Sequence, residues 1–222
     1  MSEFLLPKRF PFRFSLPCLY RKKAWSDKGA ALGEKYRLVD LAELEGGARG
    51  GKAGYADVRV AWSEAGLAFS VQVADKKRPP WCRETRLDDS DGLQVFIDTR
   101  NVQNVHRATR FCHHFIFLPG GAGPKLDQPV AAWLPIHRAR ENPQSFEIES
   151  LGLRAEKRGD GYLLEAFVPA EALTGYDPSE HAALGFTYAV IDRELGEQTL
   201  ATGSPMPFQE DPSLWATLEL VR

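Results

Sequence analysis

Apolar and polar residues alternate most regularly between positions 55 and 73. Val58, Val60 and Trp62 are separated by polar or small residues, and the same period of two resumes after a break at residues 63–66 that contains a glycine. This period is typical of a half-buried β-strand, and a short glycine-containing break between two such runs indicates a hairpin. The pattern therefore predicts two paired antiparallel strands.

The segment from Phe146 to Val168 predicts a second hairpin. Its halves are separated by Arg158-Gly159-Asp160-Gly161, where an Asp-Gly pair supplies the positive φ that a tight turn requires. Further apolar runs predict strands over 93–98, 113–118, 184–192 and 214–221. Long loops are predicted at 76–90, 99–111 and 119–144, and nine or ten strands in all.

The first thirty residues are rich in Pro, Arg and Phe, and Phe10, Phe12 and Phe14 alternate with Pro11 and Arg13. Because proline cannot donate to a sheet ladder, this segment is predicted to be an edge strand. A further segment, GGARGGKAG at 46–54, holds five glycines and is predicted to be a flexible loop.

Helical signals are sparse. Asp40 and Glu43 have capping-box spacing, and the segment from Pro169 to Gly175 begins with a proline and ends with a glycine, as one helical turn would. Many short strands without β-α alternation predict an all-β fold, a single antiparallel β-sandwich of the jelly-roll kind with one or two helical turns. The predicted domain spans 1–222, and residues 1–34 form an N-terminal extension or edge strand.

Charge and composition exclude several classes of partner. The 222 residues carry a formal charge of −2, so there is no basic excess to drive binding to nucleic acids or anionic membranes. No apolar run approaches the roughly 18 residues of a membrane helix. The three cysteines, an odd number at wide spacing, indicate no disulfide framework, and no signal peptide is evident. These features predict a cytoplasmic protein.

Motifs for covalent or nucleotide chemistry are missing. The sequence has no GxSxG, no GxxxxGK[ST] and no GxGxxG. Carboxylates for glycoside hydrolysis could be drawn from Asp98, Glu165 and Asp192, since such enzymes use a pair of acidic residues. Carboxylates at strand ends are common in any β-sheet protein, however, and the sequence favours a protein that is not an enzyme.

The segment from Thr99 to His114 is the richest in binding groups. Arg110, His113 and His114 offer guanidinium and imidazole donors that suit hydroxyl or carboxylate ligands. His113 and His114 are adjacent on a strand and face opposite sides, so only one can face a site. The alternative is a solvated arginine-rich loop followed by one packed histidine. His106 and His113 could also be zinc ligands, although their spacing fits no helical zinc motif.

Two other groups of residues could bind ligands. Asp88, Asp89 and Asp91 could supply oxygen ligands to calcium, but they lack the glycine and terminal glutamate of a helix-loop-helix calcium loop, which favours a solvated turn. Strand burial does not explain Trp81, Trp133 or Phe208. An exposed aromatic ring can pack against the C–H face of a sugar, but such a ring can also anchor a loop to the core.

Two motifs and their order carry a resemblance. Asp91-Gly92-Leu93-Gln94-Val95-Phe96-Ile97-Asp98 is followed far downstream by Asp211-Pro212-Ser213-Leu214-Trp215-Ala216-Thr217-Leu218, with Gly161-Tyr162-Leu163-Leu164-Glu165-Ala166 between them. Over roughly residues 35–222 the chain resembles family nine carbohydrate-binding modules and the wider DOMON-like superfamily. The resemblance implies an antiparallel sandwich, no catalysis, sugar binding between two aromatic rings, and often a structural calcium ion.

The resemblance also implies where a sugar would bind. The two ring positions fall at 86–89 and at Gln209-Glu210, where this chain has no aromatic residue, and the nearest rings are Trp81 and Phe208. The predicted ligand-binding residues are Trp81, Gln94, Arg110, His113, His114, Phe208 and Gln209, and no cofactor is predicted other than calcium as a structural ion.

The predicted function is non-catalytic binding of a sugar or a related polar small molecule in a shallow site at one end of the sandwich. Two alternatives stay open. One is a protein-interaction or structural module without a small-molecule ligand. The other is a haem-binding domain, since some DOMON-like relatives use methionine with lysine or histidine as axial ligands and Met206 precedes the last strand.

Overall fold

The computed structural model describes residues 14–39, 54–200 and 206–222. The predicted turn at Asp40 and Glu43, most of the glycine-rich loop at 46–54, and residues 1–13 of the predicted N-terminal strand lie outside these ranges. The strands, numbered β1 to β11 in chain order, are Ser15–Tyr20, Ala56–Ser63, Gly66–Val73, Gly92–Asp98, Cys112–Ala122, Gln128–Leu134, Gly152–Arg158, Gly161–Pro169, Ala183–Asp192, Gly196–Thr199 and Ala216–Val221. The 3₁₀ turns span Glu34–Tyr36, Ile148–Ser150, Ala170–Ala172 and Pro212–Leu214.

All eleven strands belong to one sheet, in the order β6-β5-β4-β9-β11-β1-β2-β3-β8-β7, with β10 paired to β9. The two end strands, β6 and β7, approach each other without a hydrogen-bonded ladder, so the sheet is nearly closed into a barrel. The all-β prediction is confirmed. The two-sheet sandwich of jelly-roll type is not confirmed, because the strands form one continuous sheet.

β1 departs from the prediction in two ways. It is parallel to both of its neighbours, β11 and β2, so the sheet is mixed rather than antiparallel. It also lies inside the sheet, so the predicted edge strand is wrong for the described part of this segment. Pro17 is tolerated because it is paired only with β11, and the ladder to β2 begins two residues later at Leu19.

Both predicted hairpins are confirmed, as β2–β3 and as β7–β8. Strands β4, β5, β9 and β11 also fall where the apolar runs placed them. The 3₁₀ turn at Ala170–Ala172 matches the predicted helical turn, and Gly175 ends that segment with a φ of +76°. Strands β6 and β10 were missed: β6 lies within the predicted 119–144 loop, and β10 is only four residues long.

The sheet is buried on both faces in its central strands. Val95 and Ile97 of β4 pack in the interior of the barrel, in a cluster with Phe69, Phe115 and Phe186. The alternate residues of β4 and β5 face outward, where loops cover them. Here an outer cluster, which includes Phe96, Ile136, Phe208 and Trp215, forms a second apolar layer. This outer layer supports the candidate site.

No helix within the described ranges has the length and apolar character needed to cross a membrane.

Candidate ligand-binding pocket

A pocket of about 280 Å³ opens on the outer face of the sheet. Its floor comes from β4 and β5, which contribute Gln94 and His114. These two residues share a face because His114 is opposite Phe96 in the ladder, two residues from Gln94. The complete lining is Asp88, Gln94, His114, Leu134, Pro135, Ile136, His137, Gln209 and Glu210.

Gln94 is almost fully buried on the floor of the pocket. Its side-chain Nε2 donates to the main-chain oxygen of Asp88 at 3.4 Å. This long hydrogen bond connects strand β4 to the loop that precedes it and brings Asp88 to the pocket. An amide carries both donor and acceptor atoms, so Gln94 can pair with a hydroxyl group in either direction.

His114 lies beside Gln94 and is buried as a neutral imidazole. Its ring stacks on Phe96 with 4.1 Å between centroids and 14° between planes. Burial lowers the pKa of His114 to about 3, so the ring carries no charge at neutral pH. Its Nε2 atom is buried and has no hydrogen-bond partner within the described residues. An unsatisfied buried nitrogen that lines a pocket is suited to pair with a ligand.

The rim of the pocket comes from two loops. His137, just after β6, contacts Glu210 through a 2.9 Å interaction between Nδ1 and Oε1. The segment with Gln209 and Glu210 precedes the last 3₁₀ turn, which Asp211 caps by accepting a 2.9 Å hydrogen bond from the main-chain N–H of Ser213. The two loops are thus connected across the mouth of the pocket.

A second groove of about 310 Å³ adjoins the pocket, because Asp88 and Leu134 line both. Its other lining residues come from the loop before β4 and are Glu84, Thr85, Arg86, Leu87 and Asp89. Arg86 forms an ion pair with Asp89. The pocket and groove together follow the end of β6 and are open to a ligand longer than one ring.

Three of the seven predicted binding residues, Gln94, His114 and Gln209, line this pocket. His113 does not. It is fully buried on the opposite face of β5, stacked 5.9 Å from Phe115 in the interior, and burial lowers its pKa to about 4. Of the two adjacent histidines, His114 is therefore the one that faces a site.

Arg110 also lies apart from the pocket. It lines a separate cavity of about 610 Å³ beyond the start of β5, together with Arg100, Asp98 and Glu141. The guanidinium groups of Arg100 and Arg110 lie 4.7 and 5.1 Å from the ring centre of Phe111. The structure therefore divides the predicted polar set between two cavities.

Phe208 is a core residue. It is 2% exposed and packs edge-on against Phe96, with ring centroids 5.9 Å apart. Its main-chain oxygen accepts a 2.7 Å hydrogen bond from Nε1 of Trp215, which anchors the loop. Met206, the residue named in the haem alternative, is partly buried two residues upstream and does not line the pocket.

Trp81 and Trp133 are also absent from the pocket lining. Trp81 is partly buried, and the guanidinium of Arg193 lies 3.4 Å from its ring centre. Trp133 lies on β6 and packs against the interior cluster. Within the part of the chain that the structure describes, no aromatic ring other than the imidazoles of His114 and His137 lines the pocket.

The predicted calcium ligands do not converge. Asp91 is buried, and its carboxylate accepts from Lys76 at 3.2 Å and from two main-chain N–H groups. Asp89 is paired with Arg86. Within the described part of the chain, no three His, Cys, Asp or Glu side chains gather as a metal site. The residues present therefore do not fit a calcium ion at Asp88, Asp89 and Asp91.

The carboxylates considered for hydrolysis each have hydrogen-bond or ion-pair partners within the protein. Asp98 accepts main-chain hydrogen bonds from the turn after β4. Glu165 accepts from Arg154 and from the main-chain N–H of Ala31. Asp192 is bonded to Lys76.

Sequence reasoning missed His137 and Glu210 as well as the apolar wall at Pro135 and Ile136. The positions of Pro135, Ile136 and His137 depend on β6, which lies within the predicted 119–144 loop. The one available signal was the run Val130-Ala131-Ala132-Trp133-Leu134, which is more apolar than a solvated loop requires. An edge strand of this kind has its ladder on one side only, with β5.

No protein-family model matches this chain, and no curated protein matches it. Solved structures do. A family 9 carbohydrate-binding module from Caldicellulosiruptor kristjanssonii in complex with cellotriose has a TM-score of 0.58 at 12% identity, covering 95% of this chain and 94% of that one. The complex of the same module with glucose has a TM-score of 0.57 at 11% identity, covering 94% of this chain and 96% of that one.

A candidate carbohydrate-binding protein from Bacteroides uniformis is also similar, with a TM-score of 0.56 at 12% identity over 93% of this chain and 99% of that one. At such identities, similarity establishes the fold and leaves the function to be argued from the site. The chain has the fold of a family 9 carbohydrate-binding module.

Proposed function

We propose that this protein is a non-catalytic binding module that holds a sugar or a related polar small molecule in the pocket on Gln94 and His114. The observation that carries the proposal is the convergence of Gln94, His114 and Gln209 in one pocket, with a buried and unpaired ring nitrogen on its floor. The similar solved structures, whose ligands include cellotriose and glucose, support the same class of ligand.

The chemistry of the pocket suits a polyhydroxylated molecule. The Nε2 atom of the neutral His114 ring can donate or accept, depending on the tautomer, and the two glutamines offer both kinds of atom, so vicinal hydroxyl groups can be matched in either direction. The volume of about 280 Å³ lies at the small end of the range for ligand sites, which favours one sugar ring in the pocket. The adjoining groove then offers space for a second ring.

Apolar contact with the sugar would come from aliphatic side chains. Leu134, Pro135 and Ile136 form one wall of the pocket and take the place of a flat aromatic surface. Such contacts cover less ligand area than a tryptophan ring, so most of the orientation would depend on hydrogen bonds. This argues for modest affinity with strong dependence on the polar residues.

The test is isothermal titration calorimetry against a panel of monosaccharides and short oligosaccharides. Replacing Gln94 by Leu should weaken binding by about 1–3 kcal/mol, because ligand hydroxyls would lose a partner. Arg110→Ala is the matched control, since Arg110 lines the separate cavity, and it should leave affinity unchanged. Absence of heat with every sugar for the wild-type protein would refute the proposed function.

A further inference from the structure

The pocket and its adjoining groove are lined by an excess of carboxylates. Among the described residues, Asp88 and Glu210 line the pocket, and no lysine or arginine does. The groove adds Glu84 and Asp89, and its one basic residue, Arg86, is already paired with Asp89. The side chains that line this position therefore carry a net negative charge, although the whole chain is nearly neutral.

Asp88 lies where the pocket and groove meet, since it lines both. Its side chain is exposed, and within the described residues its carboxylate forms no ion pair, while Asp89 beside it does. Its main-chain oxygen accepts a hydrogen bond from Gln94. A free carboxylate beside a hydrogen-bonding floor is a ready partner for a cationic group on a bound molecule.

Glu210, at the opposite rim, differs from Asp88 in having a partner. Its Oε1 lies 2.9 Å from Nδ1 of the exposed His137. Of the two pocket carboxylates, Asp88 is thus the one without a side-chain partner among the described residues. The buried, unpaired Nε2 of His114 independently indicates that the floor is completed by a hydrogen-bonding ligand.

We infer that the pocket is selective for amino sugars, with the ring hydroxyls on Gln94 and His114 and a protonated amine at Asp88. This inference rests on the proposed function and specifies its substrate class. Neutral sugars would retain the hydrogen bonds but lose the charge-assisted contact. Sugar acids would be disfavoured, because a ligand carboxylate would approach the free carboxylate of Asp88 without a compensating cation.

The expected preference is moderate, since Asp88 is exposed and solvent screens its charge. An exposed ion pair corresponds to roughly a two- to fivefold difference in affinity between glucosamine and glucose. Glucuronate should bind more weakly than glucose. The preference should nearly vanish at about 1 M salt, where the screening length falls to about 3 Å.

The experiment titrates the full chain with glucosamine, glucose and glucuronate at low salt and about pH 6.5, where an amine of this kind is protonated. Chemical-shift perturbation by NMR gives each dissociation constant. Asp88→Asn preserves the shape of the side chain and removes its charge, so the ratio of glucosamine to glucose affinity should fall to about one. Asp27→Asn, an exposed aspartate that lines neither the pocket nor the groove, changes the net charge equally and should retain the ratio.

The outcomes separate the two hypotheses. A preference that persists in Asp88→Asn, or tighter binding of glucuronate than of glucosamine, would overturn amino-sugar selectivity while leaving sugar binding in place. Equal binding of glucose and glucosamine by the wild type would do the same. No binding of any of the three would refute the proposed function together with this inference.

Discussion

A buried ion cluster around Lys76 permits a quantitative test of the fold. The Lys76 side chain is 2% exposed, and its Nζ lies 3.2 Å from Oδ2 of Asp91 and in a shorter contact with Asp192. Glu194 is 4.0 Å away. Asp91 immediately precedes β4 and Asp192 ends β9, so one ammonium pairs with two carboxylates at the ends of neighbouring strands.

Lys76→Met retains much of the side-chain volume and removes the charge. Breaking a buried pair from one side typically costs about 3–5 kcal/mol, because the remaining charge stays buried without compensation. Asp91 keeps two main-chain donors, at 3.0 and 2.9 Å, and Asp192 keeps two, at 2.9 and 3.0 Å. These contacts offset part of the loss, so we expect about 3 kcal/mol.

The assay is urea unfolding followed by tryptophan fluorescence, with the free energy of unfolding compared between wild type and variant. Lys77→Met is the matched control, because Lys77 is exposed and its side chain forms none of these contacts. The control should change stability by less than about 0.5 kcal/mol. If Lys76→Met lowers the free energy of unfolding by less than about 1 kcal/mol, the cluster is not a stabilising buried salt bridge.

The pH dependence supplies an independent readout. Burial acts to lower the pKa of Lys76, but the hydrogen bond to Asp192 and the charge of Asp91 outweigh it and raise the pKa above 10.5. The stabilising contribution is therefore fully present below about pH 10.5 and is lost as the pH rises through the folded-state pKa. The difference between wild type and Lys76→Met should stay constant from neutral to mildly alkaline pH and narrow above that value.

Two further predictions concern buried rings. Because burial lowers the pKa of His113 and His114 from 6.5 to about 4 and about 3, the unfolded chain takes up protons first, and stability should fall as the pH drops from 6.5 toward 4. Urea midpoints measured over this pH range should fall less for His113→Phe than for the wild type. An identical decline in both would show that His113 does not contribute to the loss of stability. Phe208→Ala removes a buried ring from the outer layer and should cost about 3–5 kcal/mol by thermal or urea unfolding. Unchanged stability with lost sugar binding would instead make the ring a ligand contact.

The sequence predicts part of the pocket but not all of its residues. The resemblance implied ring positions at 86–89 and at Gln209-Glu210, and the pocket does lie between these two loops. Gln94 was selected from its position in the strand motif and lies on the pocket floor. The polar segment from Thr99 to His114 predicts Arg110 as a binding residue, but in the structure Arg110 lines the other cavity.

The sequence alone does not decide whether His113 or His114 faces the pocket. Alternation along β5 predicted that only one of them could face a site, but a shift of one residue in register would exchange their faces. The β4–β5 ladder pairs His114 with Phe96, and this register places His114 on the outer face with the pocket. Likewise, β1 contains a proline that favours an edge, and only its short overlap with β2 shows how a proline is tolerated inside the sheet.

The sequence by itself predicts the strand periodicity, the two hairpins and the order of the two strand motifs that carry the resemblance. This is possible because the alternation of apolar and polar residues and the chemistry of turns involve residues that are close along the chain. Only the tertiary structure decides three features of the sheet, namely its closure into a near-barrel, the parallel insertion of β1 and the pairing of β6. It also decides which residues converge in the pocket, which are Asp88, Gln94, His114, His137 and Gln209. These features depend on contacts between residues far apart in sequence, whose register no local pattern specifies.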